Sequence, residues 1–109
     1  MQIRELDLKE LDIVYELLSS LYKELSYKEF EDLIYDMRHM EYKMIGILDG
    51  ENLISYAGVV IQTTFKDKRH LRVFELISSK KYDRVKYDKM MKDYLDDYSR
   101  MAMCSRVVF

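Results

Sequence analysis

Hydrophobic positions change their period several times along this chain, and each change marks an element. Gln2 to Leu6 alternate as a short strand does. Asp7 stands three residues before Glu10, the spacing of a capping box, with Leu6 and Leu11 placed to staple the start of a helix. Leu11, Val14, Leu18, Leu21 and Leu25 recur at spacings of three and four and predict one helix running to about residue 24. Ser26 and Glu29 repeat the capping signature between Leu25 and Phe30. A second helix therefore starts there, turning Phe30, Leu33, Ile34 and Met37 inward and ending near Tyr42.

The pattern then shortens to that of strands. Met44 to Leu48 is an apolar run closed by the turn signal Asp49-Gly50, residues 53 to 65 form the next strand, and Lys66-Asp67-Lys68 breaks the pattern again. His70 to Ser78 follows, with Leu71 and Val73 alternating and Leu76-Ile77 expected to be buried. From about Asp83 the period is helical once more, through Tyr87, Met91, Tyr94, Tyr98 and Met101, and Cys104 to Phe109 closes as a strand. The order is βααβββαβ, an α/β (α+β) arrangement with a mixed sheet. A helix between the last two strands is the connection that a parallel pair requires, so these two are expected to run side by side with the helix packed across them.

Composition narrows the class. At 109 residues and 49% hydrophobic, the chain supports one core and one domain, residues 1–109. No run approaches the roughly 20 apolar residues of a membrane span, and Met1-Gln2-Ile3-Arg4-Glu5 lacks the apolar region of a signal peptide. Cytoplasmic location without a membrane partner is the expectation. The single Cys104 fits a reducing compartment and, opening an apolar strand, is read as a packing residue. His39 and His70 have no cysteine or carboxylate at ligand spacing, so no metal site is expected. Residues 1–51 carry thirteen acids against six bases and residues 52–109 seven against twelve, which favours the second half for an anionic ligand. No nucleic-acid motif accompanies that charge, and no nucleic-acid partner is expected.

Several strings resemble the GNAT superfamily of acetyl-CoA-dependent N-acetyltransferases over essentially the whole chain. Met44-Ile45-Gly46-Ile47-Leu48-Asp49-Gly50-Glu51-Asn52-Leu53-Ile54, followed by Tyr56-Ala57-Gly58, is similar to that family's hairpin. Glu75-Leu76-Ile77 resembles its fourth strand. The resemblance implies transfer of an acetyl group from acetyl-CoA to an unidentified amine. It implies Glu75 as candidate general base, and pantetheine pairing with the backbone of Leu76, Ile77 and Ser78 between the two parallel strands.

The chain departs from the family in two places. The family's Arg/Gln-x-x-Gly-x-Gly/Ala loop holds the cofactor pyrophosphate on backbone N–H groups. Here it reads Asp83-Arg84-Val85-Lys86-Tyr87-Asp88, with charged side chains in both glycine positions. Shifted by one residue, Arg84 takes the basic position while Tyr87 and Lys89 replace the glycines. Arg84, Lys86, Tyr87 and Lys89 are thus the residues implied to meet the cofactor, with Lys92 a further cation on that helix. Met103 also stands where relatives often have glycine. The second departure is the ending at Phe109, where the family continues into a helix carrying a catalytic tyrosine and two more strands. Tyr82 and Tyr87 are the remaining hydroxyls that could protonate a departing thiolate. The competing expectation is an inactive, truncated GNAT-like domain serving as an interaction or dimerisation module, and under either a homodimer forms through the exposed final strand. The late methionines, Met90, Met91, Met101 and Met103, read as core filler or an interface.

Overall fold

The structure, a computed structural model, describes residues 1–109. Strands β1 (Gln2–Glu5), β2 (Lys43–Asp49), β3 (Asn52–Thr64), β4 (Lys68–Ser78) and β5 (Val107–Val108) form one sheet in that order. All neighbours are antiparallel except β4 and β5, which are parallel and register Leu71 with Val107 and Arg72 with Val108. Helices α1 (Leu11–Leu18) and α2 (Tyr27–Met37) are flanked by short 3-10 turns at Leu8–Glu10 and Arg38–Met40, and α3 (Arg84–Met101) connects β4 to β5. The element order is the expected βααβββαβ. No helix is long and apolar enough to cross a membrane.

The sheet separates two apolar layers. Leu11, Val14 and Leu18 of α1 and Phe30 and Ile34 of α2 pack on Met44, Leu48, Tyr56, Val60 and Ile77. Tyr87, Met91 and Leu95 of α3 pack on Ile45, Ile47, Ala57, Val59, Leu71 and Val73. Alternation along each strand divides the side chains between these layers.

The capping box at Asp7 and Glu10 forms, and Arg4 on β1 clamps Glu10 with two bonds of 2.9 and 2.7 Å. It opens the 3-10 turn, which leads directly into α1. That helix stops at Leu18 instead of continuing to residue 24. Ser19 and Ser20 turn their hydroxyls back onto the Glu16 and Leu17 carbonyls at 2.9 and 2.7 Å, competing with the helical ladder. Leu21 consequently faces solvent, and the Tyr15 hydroxyl secures the connection through the Leu25 carbonyl at 2.7 Å. At α2 only half of the predicted box forms, the Ser26 hydroxyl accepting from the Glu29 amide at 3.2 Å. Leu33 is 45% exposed, not inward, because the open ground left by the short α1 lies beside it.

Along α3 the buried seam is Tyr87, Met91, Leu95 and Ser99, every fourth residue; Tyr94 and Tyr98 flank it and Met101 is exposed. Leu76 is only half-buried. Strand β5 is confined to two residues because Met103 and Cys104 close the helix. The Cys104 amide bonds the Ser99 carbonyl at 2.8 Å and the Met103 amide bonds the Arg100 carbonyl at 3.1 Å, a Schellman closure with Met103 at φ 60°. The position is thus a left-handed one, which favours glycine and is occupied here by methionine. Because its side chain is 85% exposed, Met103→Gly removes strain and little packing. It is expected to stabilise the fold by about 1 kcal/mol after the added chain entropy. A melting temperature raised by about 4–8 °C checks this.

Candidate functional site

Strand β4 carries a bulge that decides where Glu75 points. Register pairs Gly58 with Glu75 and Val59 with Val73, leaving Phe74 as the extra residue. Leu71 and Val73 face α3, and strict alternation would send Glu75 after them. The inserted residue reverses the phase, so Glu75 and Ile77 face α1 and α2.

There the carboxylate meets two buried tyrosines. The Tyr42 hydroxyl donates to Glu75 Oε1 at 2.5 Å and lies 2.7 Å from the Tyr56 hydroxyl. A phenol has one proton, so with Tyr42 donating to Glu75, Tyr56 donates to Tyr42. Both protons thus point toward the carboxylate. Tyr42 is delivered by Glu41, which takes φ 60° at the end of the 3-10 turn and swings the chain into β2. Gly58 makes the contact sterically feasible. A Cβ there would fall inside the Tyr42 hydroxyl and 2.5 Å from Glu75 Oε1.

Burial pushes the Glu75 carboxyl above the ordinary carboxylate range, and the Tyr42 hydrogen bond opposes that rise only in part. Burial, together with the Glu75 charge, holds both Tyr42 and Tyr56 well above an ordinary phenol. Glu75 and Tyr42 face a cavity of about 240 Å³, otherwise walled by Leu18, Leu25, Phe30, Leu33, Ile34, Met37 and Tyr22. A carboxylate at the end of an apolar chamber binds cations and accepts protons. A wider cleft of about 700 Å³ surrounds the Leu6–Lys9 turn, but apart from Tyr42 its ionisable groups are exposed or half-buried charges of both signs.

The residues implied for the cofactor lie on the other end of β4 and on α3. Beyond Arg72 no strand pairs with the β5 side of β4, so the edge at Leu76, Ile77 and Ser78 lacks a strand partner, although Ile77 and Ser78 are buried and Leu76 half-buried. Arg84 and Lys86 are exposed on the first turn of α3, with Lys86 Nζ 5.2 Å from the centre of the Tyr87 ring. Tyr87 itself is buried in the α3 seam and packs edge-on to Tyr82, and Lys89 is paired with Asp93 at 2.9 Å.

Part of the backbone that could cradle a pyrophosphate is already bonded within the chain. The Asp83 carboxylate caps α3 by accepting from the Lys86 amide at 3.2 Å, while the Tyr87 amide is held by the Asp83 carbonyl at 3.1 Å. The Lys81 and Tyr82 amides bond to Ser79. Asp88 is turned inward, accepting from the Ser78 hydroxyl at 2.6 Å, with Ser55 Oγ 2.8 Å behind it. Of the first-turn amides of α3 only that of Lys86 is taken, so an anion at this terminus would meet the Arg84 and Val85 amides and the side-chain cations around them, with the Asp83 carboxylate beside them opposing it.

Sequence reasoning singled out Glu75 but missed Tyr42 and Tyr56. The signal available was period two along β3, which puts Tyr56 and Gly58 on one face; Tyr42, remote in sequence, had none.

Two outcomes follow from this geometry. Gly58→Ala is expected to destabilise the fold by about 1–3 kcal/mol through overpacking, measured by urea unfolding. Glu75 binds its proton more tightly when folded, so its contribution to stability is full below the ordinary carboxyl value and is lost as pH rises through the raised one. Glu75→Gln should therefore melt higher than the parent at pH 8, with the difference shrinking toward pH 4; a pH series of thermal melts reads this directly.

No protein-family model matches the sequence, and no curated protein matches it. Solved structures do. A GNAT family acetyltransferase from Staphylococcus aureus superposes with a TM-score of 0.85 at 10% identity, over 98% of this chain and 83% of that one. A ribosomal-protein-alanine N-acetyltransferase from Brucella melitensis gives 0.83 at 16% identity, covering 99% and 78%. A Trypanosoma brucei acetyltransferase gives 0.75 at 20% identity, covering 98% and 80%. With this strand order, bulge and helix placement, the chain has the GNAT acetyltransferase fold.

Proposed function

We propose that this chain is a GNAT-type N-acyltransferase in which Glu75 accepts the proton of an amine seated in the apolar cavity. The observation that carries the reading is the hydrogen-bonded line Tyr56, Tyr42, Glu75 ending in that cavity. An amine arrives protonated and is drawn to the carboxylate. A carboxyl raised by burial is a better match to the amine's proton than an ordinary one. As the proton moves to Glu75, the two tyrosine hydroxyls can reverse their donation and share the change, leaving a neutral, nucleophilic nitrogen. Acetyl-CoA, the donor the fold likeness suggests, supplies the acetyl group as a thioester. The edge of β4 that has no strand partner beyond Arg72 is where an extended pantetheine chain would pair. Lys80, Lys81, Arg84 and Lys86 are the exposed cations nearest the terminus of α3, and their charge adds to the Arg84 and Val85 amides that remain there for the phosphates.

One observation favours a second reading, a non-catalytic interaction module. The Asp83 carboxylate occupies the Lys86 amide that an anion would use. In this reading the partner meets the open side of β5, where Val107 and Val108 are half-buried and Phe109 is 62% exposed, and a second copy of the chain is the simplest such partner.

Calorimetric titration with acetyl-CoA and with CoA at low salt separates the two. Saturable heat with an upward-shifted melt supports the enzyme. No heat at millimolar cofactor overturns it in favour of the module. Asp83→Asn keeps a competent cap while removing a charge facing the phosphates. It should tighten CoA binding roughly fivefold, about 1 kcal/mol of repulsion relieved. Under the enzyme reading, Glu75→Gln lowers kcat by about 10²-fold or more without weakening CoA binding.

A further inference from the structure

We propose that the amine taken by this cavity is a monoamine on a compact apolar stem, an alkyl- or arylalkylamine, rather than a polyamine, an amino sugar or an amino acid. The inference rests on the N-acyltransferase reading and names its acceptor. The Glu75 carboxylate and the Tyr42 hydroxyl bonded to it lie together in the chamber lining, where Tyr22 is the one other residue with a polar side-chain atom. Leu18, Leu25, Phe30, Ile34 and Met37 make the rest of the wall, with Leu33 at the rim. Opposite Glu75 there is no second carboxylate to hold a second ammonium and no cation to hold a carboxylate.

Size points the same way. An apolar cavity of about 150 Å³ holds benzene, so 240 Å³ takes a ring with a two- or three-carbon arm, or a six- to eight-carbon alkyl chain. A sugar or peptide acceptor would leave hydroxyl and amide groups unpaired against leucine, phenylalanine and methionine, which selects against it. An amino acid would set its own carboxylate beside Glu75.

The experiment is titration of the protein, without cofactor, with 2-phenylethylamine and n-hexylamine. Their neutral and anionic counterparts, 2-phenylethanol and hexanoate, and spermidine serve as competitors. Acetyl transfer to each amine is assayed in parallel. The two monoamines are expected to bind at least about tenfold tighter than 2-phenylethanol, the scale of a hydrogen bond to a charged group, with hexanoate and spermidine weaker still. Glu75→Gln should erase the preference for amine over alcohol, and Leu33→Arg, at an exposed rim position, should weaken the amines while the fold is kept. Equal binding of alcohol and amine by the parent protein, or tighter binding of spermidine, overturns the assignment. Monoamine binding with no acetyl transfer would sink the enzymatic reading and leave this cavity assignment standing. Acetylation of spermidine or an amino sugar, without monoamine binding, would do the reverse.

Discussion

The missing side chain at Gly58 is the constraint on which the centre of this molecule depends. Because no Cβ projects from that point of β3, the Tyr42 hydroxyl can lie against the sheet and reach Glu75. Tyr56, two residues earlier on the same face, completes the line of hydroxyls from within the core, where it has no contact with water. The same glycine sits opposite the two residues of the bulge, so the close approach and the change of phase in β4 occupy one spot. Without the bulge the carboxylate would be driven into the α3 layer, among Leu71, Val73 and Met91, with no partner.

Burying a carboxylate in apolar surroundings destabilises its charged form, and one phenolic hydrogen bond offsets only part of that. The fold accepts the cost at one place and surrounds it with well-packed layers on both sides of the sheet. The chamber in front of Glu75 exists because α1 is short. Two serines divert the chain after Leu18, and Leu33, Leu25 and Tyr22 are left bordering a space that a longer helix would fill. Helix termination and the acceptor cavity are thus two aspects of one local event.

The amino terminus of α3 shows the opposite balance. In a protein that receives a phosphorylated ligand on backbone amides, those amides must stay free. Here Asp83 and Ser79 have already taken those of Lys86, Lys81 and Tyr82, leaving Arg84 and Val85, and Asp88 anchors the helix to Ser78. These bonds tie the β4 to α3 connection to the helix and the sheet on either side of it. Any anion arriving there meets a carboxylate before it meets the helix dipole, and its attraction comes from lysine and arginine side chains above.

Much of the architecture was written in local pattern. Period and capping residues determined the element order, the parallel placement of the last two strands, the β2–β3 hairpin at Gly50 and the strand bearing Glu75, because these depend on neighbours a few residues apart. Other features required the tertiary structure. Serine hydroxyls turned inward ended α1 early, and the α3 seam ran through Leu95 instead of Met101 because the sheet, not the helix, chose the buried face. The phase of Glu75 turned on one unpaired residue, and its partners came from Tyr42, which lies 33 positions away. A sequence records which side chains can bear charge or pack; which of them meet across a sheet is decided by register, and register is a property of two strands at once.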